Sequence, residues 1–302
     1  MKFIERFDLV NEEENIDFVK KIKNSYSDDE WFPLGFFNKK GLKQIDFEPV
    51  TIFYGGNGSG KSTLLNVIAE NMGLLRRSDV SVTRAFTDYA MACNLKKTKN
   101  VIVPMGSRML TSEDIFRNIF NARQQNLALE EKKQEQDEFF DYAALDKQFD
   151  SFDNSHLISK RLAKKIHLEK SVERRERQFS NGETALKFFK DEIQRKTLYL
   201  LDEPENSMSP QFQMQLKSFI EDCATHAECQ FIIATHSPFV LAINGAKIYD
   251  LDSKPVIVQK WYDLKNIRIT YDFFIKNKEL FELGIYDKGV VPKKKPTTTV
   301  KK

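Results

Sequence analysis

The chain has 302 residues, 41% of them hydrophobic and 30% charged, with a net charge of +3. That is enough apolar material for one large core, and no apolar run reaches the ~18 residues of a membrane-spanning helix. A soluble, cytoplasmic chain without membrane insertion is expected, and Met1–Arg6 lack the apolar stretch of a signal peptide.

The charge is unevenly placed. Residues 285–302 carry six lysines against Asp287, so residues 1–284 are slightly acidic and the body is not globally basic. Overall charge therefore gives no argument for nucleic-acid binding, which stays an open partner class. Cys93, Cys223 and Cys229 make an odd count without a disulfide framework, which fits a reducing compartment. Cys223 and Cys229 flank His226, but the spacing is wrong for a zinc knuckle and no second ligand pair exists, so the expectation is structural.

In chain order, residues 1–30 show no clear period. Trp31–Phe37 and Leu42–Phe47 read as two antiparallel strands joined by a turn at Asn38–Gly41. Val50–Tyr54 reads as a buried strand. The loop Gly55-Gly56-Asn57-Gly58-Ser59-Gly60-Lys61-Ser62 follows at once, and Ser62–Ala69 has helical spacing. Strand, glycine loop and helix is the context in which such a loop cradles phosphate. Its backbone must curl so that successive N–H groups and the helix N-terminus face an anion. Lys61 then reaches the outer phosphates and the Ser62 hydroxyl is a Mg²⁺ ligand.

Residues 76–100 read as irregular and Val101–Pro104 as a strand. Ser112 reads as a helix cap, with Glu113 and Asp114 in the first turn. From Ile115 to about Arg177 the chain is charged and helical in composition, an inserted lobe spanning about 105–195. Within it, Leu127–Gln136 reads as a solvated face. Ser180-Asn181-Gly182-Glu183 opens a helix over Glu183–Ile193, whose N-terminus suits an anion.

Thr197–Leu201 reads as a strand ending in Asp202-Glu203-Pro204. A carboxylate leaving a core strand is costly unless paired, and Mg²⁺ held by Asp202 would supply the pairing. Glu203 points the other way and suits the general base. Pro210–Ala224 reads as a helix and Gln230–Ala234 as a strand, after which His236 sits where parallel sheets hold ligands. Ser237–Ile243 reads as a short helix, Lys247–Asp250 with Val256–Gln259 as a hairpin, and Tyr271–Phe281 as a last helix. One domain over 1–284 and a basic tail over 285–302 are expected, the tail being unable to support a core.

These motifs, with Glu205-Asn206-Ser207 and Thr235-His236-Ser237-Pro238, resemble the ABC-type ATPases of the SMC-like, RecF-like and overcoming-lysogenization-type group. The nearest likeness is to small stand-alone bacterial "AAA family" ATP-binding proteins. The resemblance covers most of residues 30–275. It implies an α/β P-loop fold with a mixed central sheet, N-terminal antiparallel strands and an inserted helical lobe. It makes Gly55–Thr63 the Walker A loop, Ser180–Glu183 the signature, Asp202 and Glu203 the Walker B pair, Glu205–Ser207 the D-loop and His236 the switch histidine. Catalytic roles fall to Glu203, His236 and Lys61, and metal ligation to Ser62 and Asp202, with ATP and Mg²⁺ as cofactors.

In this group the signature of one subunit completes the phosphate site of another. A head-to-tail homodimer or a higher homo-oligomer is thus implied, with a separate effector as partner in bacterial defence or DNA maintenance. The signature here is Phe-Ser-Asn-Gly-Glu rather than Leu-Ser-Gly-Gly-Gln. No Q-loop glutamine is evident, and Ser107, Ser112 and Glu113 are its candidate replacements. About 120 residues separate Lys61 from Ser180, room for a lobe but not for long coiled-coil arms. Two other functions stay open: a low-turnover, nucleotide-gated scaffold, and a transporter ATPase subunit, which the Glu205-Asn206 and Thr235–Pro238 pattern disfavours.

Overall fold

The computed structural model describes residues 1–13, 15–76, 82–121 and 181–282, together with 123–124, 127–128 and 131. Most of the expected helical lobe, Ser180 and the lysine-rich tail lie outside the described residues. The chain divides into a unit of residues 1–258 and a second that begins at Gln259.

The larger unit contains two sheets. A small antiparallel one runs β2 (Gln44–Asp46), β1 (Ile4–Asp8), β4 (Asn94–Lys97). The main one has six strands in the order β5 (Arg108–Thr111), β6 (Leu198–Asp202), β7 (Gln230–Thr235), β3 (Val50–Tyr54), β8 (Lys247–Asp250), β9 (Ile257–Gln259). The strands from β5 to β8 pair in parallel. Every residue of β3 and β7 is buried, as expected of parallel strands covered on both faces.

Helix α1 covers Ile16–Ser25, and helix α2 (Lys61–Met72) packs on β6 and β7 and beside α3 (Arg84–Ala92). Residues 112–121 form helix α4. Helix α5 (Asn181–Glu192) packs on α6 (Pro210–His226), which packs on α7 (Pro238–Leu241). Phe7, Phe53, Leu64, Ile68, Leu200 and Ile232 belong to one continuous core that joins both sheets to α2. Burial of side chains of this size stabilises the fold by roughly 1.5–3 kcal/mol each.

The register decides where function can sit. Thr111 pairs with Asp202, Asp202 with Ala234, Tyr54 with both Thr235 and Asp250. The carboxyl ends of five parallel strands thus form one edge. The residues that follow them are Ser112, Glu203, His236, Gly55 and Leu251.

Several sequence expectations are corrected. Trp31–Phe37 is not a strand but a run of turns, because Pro33 lacks a donor for a ladder and Gly35 has φ +78°. β2 pairs with β1 instead. Val101–Pro104 forms no strand, and Ile102 is 88% exposed; the strand is β5, seven residues further on. The region read as irregular holds α3, capped by Thr83, whose hydroxyl accepts from Phe86 N, and β4.

The second unit contains a short turn at Trp261–Asp263, an α-helix over Lys265–Lys276 and another over Lys278–Glu282. The expected single helix over Tyr271–Phe281 therefore starts earlier and is interrupted at Asn277, whose N–H reaches back to Phe273 and Phe274 carbonyls.

Candidate active site

The phosphate loop joins β3 to α2 along the carboxyl edge. Gly60 has φ +100°, and a side chain there would overlap the Phe36 ring, so glycine is required on both conformational and steric grounds. The loop is anchored by two residues remote in sequence. Asp252 accepts from Gly56 N at 2.9 Å. Lys40 Nζ donates to Ser59 O and Leu251 O, each at 2.7 Å. Asp252 and the Leu251 carbonyl reach this loop only where β8 docks beside β3.

Lys61 is 6% exposed. Its ammonium donates to Gly55 O at 2.8 Å and Gly56 O at 3.3 Å and lies 3.3 Å from Glu203 Oε1. Ser62 Oγ donates to Asp202 Oδ1 at 2.9 Å. Thr63 follows in the first turn of α2. His236 Nδ1 is 2.7 Å from Glu203 Oε2. That oxygen has no in-line hydrogen-bond donor among the described residues, so the contact is an ion pair once the imidazole carries its second proton. Lys61, Ser62, Asp202, Glu203 and His236 are thus brought together as expected from sequence.

Burial pushes the Asp202 carboxyl up to about 6, helped by the Glu203 and Glu113 charges and opposed by the Ser62 hydrogen bond and Lys61. Glu205 is 4% exposed, and burial raises its pKa too. Glu203 takes φ +48°, with its N–H bonded to Ala234 O. This left-handed turn aims its side chain at Lys61 and His236 rather than along the strand.

A ligand set for Mg²⁺ fits these residues. The Ser62 hydroxyl and the Asp202 carboxyl are already adjacent, and a half-desolvated carboxylate gains most from a cation. The phosphate loop fits an anion, since its curl depends on Gly60 and Ser59 Oγ is buried without a partner among the described residues. Glu203, Glu205 and His236 also each offer one ligand atom within 4.8 Å of the others. Next to Glu203, however, the Lys61 ammonium already supplies the positive charge.

The signature segment is only partly described. Asn181 and Gly182 open α5, and Glu183 lies in its first turn. Gly182 is buried, and a Cβ there would meet Phe212 Cδ2 at 2.6 Å. Its glycine is therefore explained by close packing of α5 on α6. Asn181 Oδ1 accepts from Arg123 Nη2 at 2.5 Å. Among the Q-loop candidates, Ser107 precedes β5 and its hydroxyl accepts from Leu198 N at 3.4 Å. It belongs to the amino edge of the sheet. Ser112 and Glu113 follow β5, on the edge that holds Asp202. Cys93, Cys223 and Cys229 are buried free thiols, with burial raising the pKa of each.

Residues 98–242 match the family described as "AAA domain, putative AbiEii toxin, Type IV TA system". This match agrees with the likeness to small "AAA family" ATP-binding proteins carried by the sequence motifs. No curated protein matches the chain. Among solved structures, the chain is similar to the Smc head domain of Pyrococcus furiosus, bound to the C-terminal domain of ScpA. The identity is 14% over 90% of this chain and 100% of that one, with a TM-score of 0.43. It is also similar to a metal-chelate-type ABC transporter in an inward-facing conformation, at 16% identity over 90% of this chain and 89% of that one, with a TM-score of 0.37. The fold is of the P-loop ATPase type on its own topology, a phosphate loop between β3 and α2 of a mostly parallel sheet. No helix among the described residues is long and apolar enough to cross a membrane.

Proposed function

We propose that the chain binds Mg²⁺-ATP at the carboxyl edge of the main sheet and hydrolyses it. The observation that carries this reading is the convergence of Lys61, Glu203 and His236 within 3.3 Å contacts, beside the Ser62–Asp202 pair. Lys61 holds the outer phosphates as a point charge. Glu203, kept near a cation by Lys61, accepts a proton from the attacking water. His236, on an exposed loop after β7, donates towards the transferring group and orients the water. Magnesium, when bound, neutralises charge on the phosphate oxygens. Ser62 and Asp202 are the residues that would hold it.

On this reading ATP joins two copies head to tail through Ser180–Glu183, and turnover drives or gates a separate effector. The family description, with its toxin and type IV toxin–antitoxin system, agrees with a role in bacterial defence; DNA maintenance is the neighbouring reading. A slowly turning nucleotide-gated scaffold is the second reading. It is favoured by the Lys61 ammonium, which is already engaged by Gly55 O, Gly56 O and Glu203.

The test is phosphate release by wild type and Glu203→Gln, with solution mass measured in ATP. Wild type should turn over. Glu203→Gln should lose roughly 10²–10⁴-fold in rate while keeping ATP and doubling its mass. Equal turnover by both proteins would refute the assignment of Glu203. An unchanged mass would refute the dimer.

A further inference from the structure

Glu205 is a buried acid for which the proposed chemistry has no use. Its Oε1 accepts from the Thr235 hydroxyl, and its Oε2 has no partner among the described residues. A side chain needed only to fill this space would do so at lower cost as a hydrocarbon. A carboxyl group brings what a hydrocarbon cannot, an acceptor for Thr235.

That hydrogen bond closes a ring. Met208 N donates to Glu205 O at 2.9 Å. Gln213 Nε2 donates to Met208 O at 2.9 Å, and Ser237 Oγ donates to Gln213 Oε1 at 2.6 Å. Ser237 N donates to Thr235 Oγ1 at 2.9 Å, and the Thr235 hydroxyl returns to Glu205. Thr235 and Ser237 are 0% and 3% exposed, so water does not substitute for these bonds. His236 is the residue between Thr235 and Ser237, and Glu203 lies two before Glu205. The ring therefore clasps the two loops whose side chains meet at 2.7 Å. It also holds a turn that places Glu203 at φ +48° and Ser207 at φ +70°, conformations that persist only when their surroundings fix them.

We infer that Glu205 is a positioning residue for hydrolysis: through Thr235 it fixes His236 against Glu203 and makes the histidine follow the conformation of the 203–208 turn. The inference rests on the proposed reading of Glu203 and His236. Glu203 and His236 are the charged or titratable groups that act on this carboxyl, and Lys61 pairs with Glu203. Burial, the first cause of its raised pKa, favours the neutral acid, whose shape and remaining acceptor glutamine reproduces.

Phosphate release against ATP concentration for wild type, Glu205→Ala, Glu205→Gln, Thr235→Val and the Glu205→Ala/Thr235→Val double variant tests this. Glu205→Ala and Thr235→Val should each lower kcat roughly 10- to 100-fold, with KM changed by less than about twofold. Glu205→Gln should restore most of the loss. The double variant should be no slower than Thr235→Val, because the Thr235–Glu205 bond is common to both changes and Thr235→Val alone also removes the acceptor of Ser237 N. Additive losses, a loss carried by KM, or wild-type kcat in Glu205→Ala would overturn the inference. Imidazole ¹⁵N spectra give a readout that needs no turnover. Glu205→Ala and Thr235→Val should move the His236 signals alike, and unmoved signals would overturn the inference whatever the rates. A wild type without turnover whose His236 signals still respond would instead overturn the hydrolysis reading alone.

Discussion

Gln230 at the amino edge of the main sheet and the acids at its carboxyl edge treat buried polar atoms in opposite ways. At the amino edge, Gln230 is 0% exposed and fully satisfied. Its amide oxygen accepts from Phe3 N and Ile4 N at 2.7 and 3.0 Å, and its NH₂ donates to Ile4 O and Glu48 O at 2.9 and 3.3 Å. One side chain thereby ties the small sheet to the large one. At the carboxyl edge, Ser59 Oγ, Asp114 Oδ1 and Glu205 Oε2 are buried without hydrogen-bond partners among the described residues, and Glu203 Oε2 is met only by His236 Nδ1. A buried polar group with all its bonds made holds a fold together, whereas one left short is kept for something else. The same sheet thus has a closed end that builds structure and an open end fit for a charged ligand.

Replacing the satisfied group should break the fold and spare the chemistry. Gln230→Leu strands two backbone N–H groups and two carbonyls, and should cost about 3 kcal/mol of unfolding free energy in urea titration. Its turnover below the transition should be near that of wild type. Loss of turnover without loss of stability would erase the contrast between the edges.

Replacing a buried acid at the carboxyl edge should do the reverse. The Asp202 carboxyl loses its proton near 6 when folded and near 3.8 when unfolded. Between those values the folded state binds more protons, so stability falls as pH rises, and the penalty is complete above about 6. Asp202→Asn removes the penalty and keeps an acceptor for Ser62. Without nucleotide it should be more stable than wild type by roughly 3 kcal/mol at pH 8, with the advantage shrinking towards pH 4. Equal stability at both pH values would show that Asp202 carries no such strain.

A pair belonging to neither edge sets the floor. Lys217 Nζ lies 2.8 Å from Glu221 Oε1, one turn along α6 and partly exposed. Lys217→Met should cost about 0.4 kcal/mol, measurable by the same titration. A cost near that of Gln230→Leu would show that the ranking of the edges has no meaning.

The open edge was the more legible of the two. β3, β6 and β7 are continuous apolar runs that end in motif residues, so sequence located Lys61, Ser62, Asp202, Glu203 and His236 together. What stayed hidden was held by long-range contact. Asp252 meets the phosphate loop only because β8 docks beside β3, Lys40 bridges Ser59 to Leu251, and the ring through Glu205, Thr235, Ser237 and Gln213 joins three separate segments. At the closed edge, Gln230 reads as an ordinary strand residue because its four partners lie in segments remote from it in sequence. Other misses were local. Pro33 and Gly35 argued against a strand over Trp31–Phe37 despite its aromatic content. In α3, Ala85, Phe86, Tyr89 and Ala90 fall on one helical face and are all buried, a period visible in the sequence once it is sought.

The central claim is that the open edge grips a triphosphate with its metal. Calorimetric titration of the full chain with ATP, with and without Mg²⁺, tests it most directly when wild type is compared with Lys61→Ala. The account predicts Mg²⁺-dependent binding by wild type, weakened at least about tenfold in Lys61→Ala through loss of the charge-assisted contact to phosphate. Identical binding by the two proteins, or no binding by wild type, would contradict it.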